Sequence, residues 1–381
     1  MALIEKSGGI GGFVSFMQHK AGIIKSERSA LMLTFIIGIV IFVESSITSL
    51  IAGAVGRPFC KEYNISNAKL AFVCDSTSAP VSSILVFNGW GALLLGLIST
   101  QISLGIIDGD GVGILIDAIF YNFYALVALL VTFVTIWFKV EIGSMKNAKY
   151  KNSLEDTDTY IKSKSMYYML FPIFLMVLLV FVFLYITGNG DILKGSGSSS
   201  IFYTMLSVIG FTFFYYILTN NMSLKTWSST SVKGAVKLIP IAFILLFAFG
   251  IGQVTTELKT GQYLASLASQ NIHVYFLASI IFLLASAMAF ATGTSWGTFS
   301  IMIPIAIPMA VSMDANISLV IGAVISGGIF GDHCSPISDT TIISSMASDC
   351  EVIEHVKTQL PYAIISGVIA FILFMIFSFF N

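Results

Sequence analysis

Long apolar runs separated by short polar segments dominate the hydrophobic pattern of the chain. Runs such as 168–188, 200–218 and 361–380 reach the roughly 20 residues that an α-helix needs to cross the hydrocarbon core of a bilayer. Membrane β-barrels instead show segments of about 10 residues that alternate in polarity. The pattern therefore predicts an all-α protein, a polytopic membrane helix bundle.

The composition supports a membrane protein and excludes nucleic acid as a partner. Apolar residues make up 56% of the chain and charged residues 10%, whereas soluble domains carry about 25% charged residues. Lys and Arg number 19 against 20 Asp and Glu, so no large basic surface is available to bind nucleic acid. We expect the lipid bilayer to be the protein's main surroundings.

The distribution of lysines predicts which loops face the cytoplasm. Residues 139–165 and 219–237 are polar and Lys-rich, which indicates cytoplasmic loops. Between them, 168–188 and 200–218 form an out-and-back helical pair. Residues 1–29 carry basic side chains around a short apolar patch, and we expect an interfacial helix there.

Two segments of the first half are predicted to be interrupted within the membrane. Segment 30–56 has basic residues on both flanks, which favours a re-entrant hairpin with its tip at Val43–Ser46. A plain membrane span is the alternative. Segment 68–105 contains the polar stretch Cys74–Pro80, and its proline predicts an unwound break in the helix.

The second half repeats this order with the opposite orientation. Segment 273–312 is a second hairpin with its tip at Thr292–Gly297, and segment 316–349 is a second broken helix, interrupted at Gly331–Thr341. A final span follows at 361–380. Hairpin and broken helix recurring in opposite orientations predict inverted repeats, the architecture of many secondary transporters.

Three regions follow from this pattern. The N-terminal repeat comprises 1–138 and ends in a span at 113–138, and the C-terminal inverted repeat comprises 236–381. Between them, 139–235 contains the two cytoplasmic loops and the linking helical pair.

Four carboxylates fall at the predicted interruptions. A charged side chain at the centre of a bilayer costs at least ~2.5–3.5 kcal/mol, so such groups normally face a cavity and have a function. With Ser and Thr hydroxyls and unwound carbonyls, a carboxylate binds a cation, and it can take up a proton instead. Alternatively, these acids cap helix N-termini or bond neighbouring hydroxyls. The four are Glu44, Asp75, Asp332 and Asp339.

Two further features have competing interpretations. His333 lies beside Asp332 and is a candidate pH sensor, or else a hydrogen-bonding member of a polar break. Gly293–Gly297 matches the G-x-S-x-G pattern of serine hydrolases, although the strand-turn-helix context of that pattern is missing from the sequence. We therefore expect no enzyme activity.

Several motifs resemble those of the NhaC family of bacterial Na⁺/H⁺ antiporters. Gly331–Thr341, GDHCSPISDTT, resembles the family signature, and Ala291–Gly297, ATGTSWG, resembles the hairpin that precedes it. Arg57–Pro58, Lys69–Phe72 and Asp75–Val81 resemble the motif of the first repeat. Together the resemblance covers almost the whole chain.

The resemblance implies an ion-transporter-type fold that exchanges cytoplasmic Na⁺ for external H⁺ across the bacterial inner membrane. It implies no cofactor beyond the transported Na⁺ and H⁺, and a homodimer is plausible. By this resemblance Na⁺ lies near Asp75 and Asp339, which face each other. The candidate ion-site residues beside them are Asp332, Ser335, Ser338, Thr340 and Thr294.

Two departures from the family pattern leave other functions open. Many relatives carry an acidic pair where this chain has Glu44-Ser45-Ser46, and they usually have further helices ahead of the region that begins here at Met1. One alternative is a Na⁺- or H⁺-coupled carrier of a small organic acid or amino acid. The other is a truncated family member that does not transport.

Overall fold

A computed structural model describes residues 2–19, 24–42, 45–85, 88–151, 164–190, 197–236 and 273–380, with isolated positions between 239 and 266. Regular structure within these residues is helical, with no strand among them. This confirms the prediction of an all-α fold.

The helices are numbered along the described part of the chain. They are α1 (Ala2–Ser7), α2 (Gly9–His19), α3 (Glu27–Val40), α4 (Ser45–Tyr63), α5 (Asn67–Ile84), α6 (Gly89–Ser103), α7 (Gly111–Phe120), α8 (Phe123–Phe138), α9 (Tyr167–Thr187), α10 (Gly197–Leu218), α11 (Leu224–Val236), α12 (Leu277–Thr292), α13 (Ser295–Ser312), α14 (Ile317–Cys334), α15 (Asp339–Ser348) and α16 (Val352–Phe380).

Within the described residues, six helical segments are long and apolar enough to cross a membrane. A seventh span results if the bent pair α5 and α6 is counted as one. The six are Phe123–Asn147, Tyr167–Thr187, Val274–Thr292, Ser295–Ser312, Ile317–Cys334 and Val352–Phe380. The chain is therefore a multi-pass membrane protein.

The chain forms two compact units, one of residues 1–25 and 152–243, the other of 26–151 and 244–381. In the first unit, α9 packs against α10, where the Tyr216 hydroxyl donates a 2.7 Å hydrogen bond to the carbonyl oxygen of Tyr168. Leu3 of α1 packs into the same buried cluster. This unit contains α1, α2, α9, α10 and α11.

The second unit is built around α14, which is buried continuously from Leu319 to Ile329. Its glycines allow close approach to α12, because a Cβ at Gly327 would collide with the carbonyl oxygen of Phe282. Small residues of this kind are typical of tightly packed membrane helices. The candidate site described below lies in this unit.

Helices α3 and α4 cover the segment predicted as the first hairpin. The Thr48 hydroxyl donates a hydrogen bond to the carbonyl oxygen of Ile41, which ties the start of α4 to the end of α3. On α3, a Cβ at Gly38 would collide with the Thr77 side chain, so α3 lies directly against α5. Glu44 lies outside the described residues.

Helix α5 does not unwind at Cys74–Pro80, and this part of the prediction was wrong. The helix runs for 18 residues through Pro80, and the interruption lies between Ile84 and Gly89. Two hydroxyls bond within the continuous helix: Thr77 donates to the carbonyl oxygen of Val73 over 2.7 Å, and Ser78 to that of Asp75 over 3.2 Å. Proline removes a single helical hydrogen bond, which this helix tolerates.

The second interruption comprises four residues, Ser335–Ser338, between the end of α14 and the start of α15.

The last helix starts earlier than the sequence predicts. It begins at Val352 rather than at residue 361, so Pro361 lies inside it. The added turns carry two residues of the candidate site.

Candidate functional site

Asp75 is completely buried at the middle of α5, and its carboxylate is surrounded by donors. The side-chain nitrogen Nε2 of Gln359 donates to Oδ2 over 2.7 Å, and Nε2 of His355 lies 3.3 Å from the same oxygen. The Ser344 hydroxyl donates to Oδ1 over 3.3 Å. These contacts join α5 to α15 and α16.

Helix geometry explains how the partners of Asp75 converge. His355 and Gln359 are four residues apart on α16, so they project from the same face of the helix. Helix α15 is held at its C-terminal end by Arg57, whose Nε donates to the carbonyl oxygen of Ala347 over 2.6 Å. A guanidinium at a helix C-terminus satisfies carbonyls that have no partner within the helix.

Asp332 forms a second buried carboxylate site, 1% exposed, in the last turn of α14. Its Oδ2 accepts hydrogen bonds from the Ser295 hydroxyl at 2.8 Å and the Thr340 hydroxyl at 3.2 Å. The Ser338 hydroxyl lies 3.0 Å from that of Thr340. Among the described residues, Oδ1 of Asp332 has no hydrogen-bond partner.

The ends of four helices meet around Asp332. Helix α12 ends at Thr292 and α14 at Cys334, while α13 begins at Ser295 and α15 at Asp339. Helix N-termini carry partial positive charge and C-termini partial negative charge. Such an arrangement provides both donors for a carboxylate and acceptors for a cation.

Gly293 brings the α12–α13 turn against the Ser335–Ser338 interruption. Its φ of +67° is left-handed, and a Cβ there would lie 2.8 Å from the carbonyl oxygen of Ile337. The Ser335 hydroxyl donates to the carbonyl oxygen of Phe290 over 2.9 Å. These contacts fix the hairpin turn next to the broken helix.

Thr341 connects the two carboxylate sites. Its hydroxyl lies 3.4 Å from Oδ2 of Asp75 and 3.4 Å from the main-chain carbonyl oxygen of Asp332. The hydroxyl has one proton and donates to one of these acceptors at a time. The two sites therefore belong to one polar centre.

His333 faces a small cavity beside this centre. Its Nδ1 lies 3.0 Å from the Tyr124 hydroxyl, and among the described residues its buried Nε2 has no partner. The cavity, of about 10 Å³, is also lined by Ser76, Gln359 and Tyr362. That volume matches about one water molecule.

The G-x-S-x-G match does not form a Ser–His pair in the described residues. The Ser295 hydroxyl donates to Asp332, while His333 pairs with Tyr124. Ser295 is also the first residue of α13, capped by Thr294, whose hydroxyl accepts a 3.4 Å hydrogen bond from the Gly297 nitrogen. In this structure the motif forms the N-terminus of α13.

The structure brings some of the candidate residues together and separates others. Asp332, Ser338 and Thr340 form one cluster, with Ser335 beside it. Asp75 joins this cluster through Thr341. Asp339 is exposed at the start of α15, where its Oδ1 accepts a 2.9 Å hydrogen bond from the Thr340 nitrogen.

Five residues of this polar centre were not among the sequence candidates. For two of them, His355 and Gln359, the sequence does contain a signal, because polar residues four apart project from one face of a helix. The five are Ser295, Thr341, Ser344, His355 and Gln359.

Comparison with known proteins gives relatives across almost the whole chain. A Haemophilus influenzae protein described as uncharacterized is 33% identical over 95% of this chain and 73% of its own length. Two shorter matches have named activities. The Bacillus subtilis malate-2H⁺/Na⁺-lactate antiporter is 39% identical over 28% of this chain and 22% of its own length. The Halobacterium salinarum arginine/ornithine antiporter ArcD is 34% identical over 25% and 19%.

A family model matches most of the chain. The model of the Na⁺/H⁺ antiporter family matches residues 88–379, which include both helices of the second hairpin and the Asp332 site. Its members and the named relatives are transporters. The chain belongs to the Na⁺/H⁺ antiporter family.

Proposed function

We propose that this protein exchanges cytoplasmic Na⁺ for external H⁺ across the inner membrane of a bacterium. The observation that carries the proposal is a pair of buried carboxylates, Asp75 and Asp332, at a helix interruption, where the Thr341 hydroxyl lies 3.4 Å from the Asp75 carboxylate and 3.4 Å from the main-chain carbonyl oxygen of Asp332. Buried carboxylates inside a membrane are costly and normally serve a transported ion or proton. Family membership and the multi-pass helical fold support the same function.

Competition for one carboxylate provides the exchange chemistry. A carboxylate that binds Na⁺ with neighbouring hydroxyls loses that ligand set when it takes up a proton, so the two ions alternate. Alternating access then exposes the site to each side of the membrane in turn. The driving force is the ion gradient, so purified protein without a cofactor should support exchange.

Two related halves are part of this proposal. Helices α5 and α14 each have 18 residues, and in each case the next helix begins after four intervening residues. Each interruption also contacts the preceding hairpin: Asn88 donates to the carbonyl oxygen of Phe42 over 3.0 Å, and Ser335 to that of Phe290 over 2.9 Å. These parallels support inverted repeats.

The same parallels revise the proposed ion site. Aligning the starts of α5 and α14 pairs Asp332 with Ser82, and Asp75 with Ile325. Asp75 and Asp339 are therefore not equivalent positions in this alignment. We propose Asp75 and Asp332, with the hydroxyls of Thr340 and Thr341, as the centre of the transport site, while Asp339 stabilises the N-terminus of α15.

Everted membrane vesicles test this proposal directly. Addition of Na⁺ should collapse a respiration-driven pH gradient in vesicles containing the wild-type protein, made from a host without antiporters. Asp75→Asn and Asp332→Asn should lower this activity at least tenfold. The matched control is Asp117→Asn, an exposed aspartate on α7, which should retain at least half of it. Well-expressed wild type with no Na⁺-dependent proton flux rejects the proposal and favours a member that does not transport.

Exchange of an organic solute is the second candidate function. The named malate/lactate and arginine/ornithine antiporters favour it, because part of this chain is similar to both. Helix N-termini such as those of α13 and α15 also suit a substrate carboxylate. At least one of malate, lactate, arginine and ornithine should then raise the melting temperature of the purified protein above its value in Na⁺ alone.

A homodimer is also part of the proposal. Light scattering of the purified protein, corrected for bound detergent, gives the mass directly. A mass of two chains supports the dimer, and a mass of one chain rejects it.

A further inference from the structure

The two carboxylates of the proposed transport site have chemically different partners. Asp75 contacts two side-chain nitrogens through Oδ2, Nε2 of Gln359 at 2.7 Å and Nε2 of His355 at 3.3 Å, while its Oδ1 accepts from the Ser344 hydroxyl at 3.3 Å. A nitrogen that donates a hydrogen bond presents positive charge and cannot ligate Na⁺. A cation that approached Oδ2 would have to displace both donors.

The orientation of the Gln359 amide is fixed by a second hydrogen bond. The same nitrogen donates to the main-chain carbonyl oxygen of His333 over 3.0 Å. Only the amide nitrogen can donate to both a carboxylate and a carbonyl, so rotation of the amide would lose both bonds. Gln359 therefore cannot turn its oxygen toward a cation at Asp75 without cost.

The partners of the Asp332 side chain are hydroxyls, which, unlike the Gln359 amide, can turn an oxygen toward a cation. The hydroxyls of Ser295 and Thr340 donate to Oδ2 at 2.8 and 3.2 Å, and the Ser338 hydroxyl is 3.0 Å from that of Thr340. A hydroxyl rotates freely between donating a proton and presenting its lone pairs. Oxygen ligands of this type are the ones that alkali and alkaline-earth cations prefer.

A second observation at Asp332 points to a ligand. Its Oδ1 is buried and has no hydrogen-bond partner among the described residues, although an unpaired buried acceptor is unfavourable. Asp332 also lies in the last turn of α14. A negative charge at a helix C-terminus is unfavourable, and a bound cation would offset this.

We infer that Na⁺ binds at Asp332, with the hydroxyls of Ser295, Ser338 and Thr340 as further ligands, and that Asp75 does not ligate it. The inference rests on the proposed Na⁺/H⁺ exchange and assigns the cation to one of its two carboxylates. Asp75 then acts as a positioning residue, because it holds α15 and α16 against α5.

Direct binding of ²²Na⁺ to the purified full-length protein tests the inference. Ser295→Ala and Thr340→Val each remove one hydroxyl at Asp332 and should weaken Na⁺ affinity at least tenfold. Thr340→Ser restores the hydroxyl and should bind within threefold of wild type. The matched control is Thr132→Val, which removes a buried hydroxyl of α8 outside the polar centre and should also bind within threefold. Ser344→Ala removes a hydroxyl from Asp75 and so tests whether the cation lies there instead. Elution profiles and melting temperatures establish that each variant is folded.

The outcomes separate this inference from the proposed function. If wild type exchanges Na⁺ for H⁺ but Ser295→Ala and Thr340→Val keep wild-type affinity, the inference fails and the proposed function stands. A tenfold loss confined to Ser344→Ala would place the cation at Asp75 and likewise overturn the inference. Wild type with neither Na⁺ binding nor Na⁺-dependent flux rejects both.

Discussion

The side-chain amide of Gln359 donates a 2.7 Å hydrogen bond to the carboxylate of Asp75, joining α16 to α5 inside the protein. Both residues are at most 1% exposed. A hydrogen bond to a buried charged group contributes more than one between neutral groups, roughly 1.5–3 kcal/mol. This contact therefore helps to hold the last helix of the second unit in place.

Gln359→Leu should destabilise the protein because it removes a donor from a buried carboxylate. We expect the free energy of unfolding to fall by about 1–3 kcal/mol, measured by SDS titration of the purified protein. Gln101→Leu is the matched control, since both polar side-chain atoms of Gln101 are buried and have no partner among the described residues. That change should be neutral or stabilising, and equal losses in the two variants would contradict the argument.

Gly293→Ala should disturb the junction between the α12–α13 turn and the broken helix. A left-handed backbone costs a non-glycine residue roughly 1–2 kcal/mol, and the new Cβ would press on the Ile337 backbone. We expect a lower melting temperature and reduced Na⁺-dependent proton flux in vesicles. Gly96→Ala in α6 has open space around the new methyl group. It should raise stability by roughly 0.5–1 kcal/mol, as alanine does in a helix interior.

His355 and Asp75 should show energetic coupling because their side chains meet at 3.3 Å with both fully buried. In a double-mutant cycle of Asp75→Asn and His355→Gln, the two stability changes should differ from additivity by ~0.5–3 kcal/mol. SDS titration of the four proteins measures this. A second cycle that pairs Asp75→Asn with Asp117→Asn should be additive to within ~0.5 kcal/mol, and an additive first cycle would show that the observed contact carries no net energy.

The hydrophobic pattern was sufficient to predict an all-helical, multi-pass membrane protein, but not where individual helices end. The span predicted at 113–138 is divided, because α7 ends at Phe120 and α8 begins at Phe123. The helix that contains Asp75 continues through its predicted break. Pro80 and the polar residues before it are typical of a helix break. Their hydroxyls instead bond to carbonyls one turn earlier, as Thr77 does to Val73. Whether a polar stretch uses its hydroxyls within its own helix depends on what packs around it. One sequence does not contain that information.

The missed partners of Asp75 have a similar physical origin. Pro361 is a residue type that favours the first turn of a helix, and the polar residues ahead of it resemble a loop. The helix nevertheless begins at Val352, and the spacing of His355 and Gln359 then places both toward Asp75. Local sequence favoured the shorter helix, whereas burial of two polar groups against a distant carboxylate stabilises the longer one.

Lys69 should contribute to stability far more than a lysine in a surface ion pair. Its side chain is 3% exposed, and its Nζ lies 2.8 Å from a carboxylate oxygen of both Glu27 and Glu141. Lys69→Met leaves two carboxylates without their shared cation. Complete burial of such a pair gives losses of ~3–5 kcal/mol when one partner is removed. Glu27 keeps a second cation, because the Lys139 Nζ lies 2.8 Å from its other carboxylate oxygen. Glu27 and Glu141 also remain 24% and 39% exposed, so water stabilises part of their charge and we expect a loss of about 1–3 kcal/mol.

Lys151→Met is the control for this prediction. The Lys151 side chain is 62% exposed, and its Nζ lies 2.5 Å from a carboxylate oxygen of Glu354. Exposed pairs contribute little to stability and are weakened by salt. SDS titration at low and high NaCl should therefore show the larger loss for Lys69→Met, with most of it kept at high salt, and a small loss for Lys151→Met that disappears at high salt. Similar losses in the two variants would mean that water reaches Lys69 freely, and that the ion pairs joining α5 to Glu27 and Glu141 do not hold that end of the helix in place.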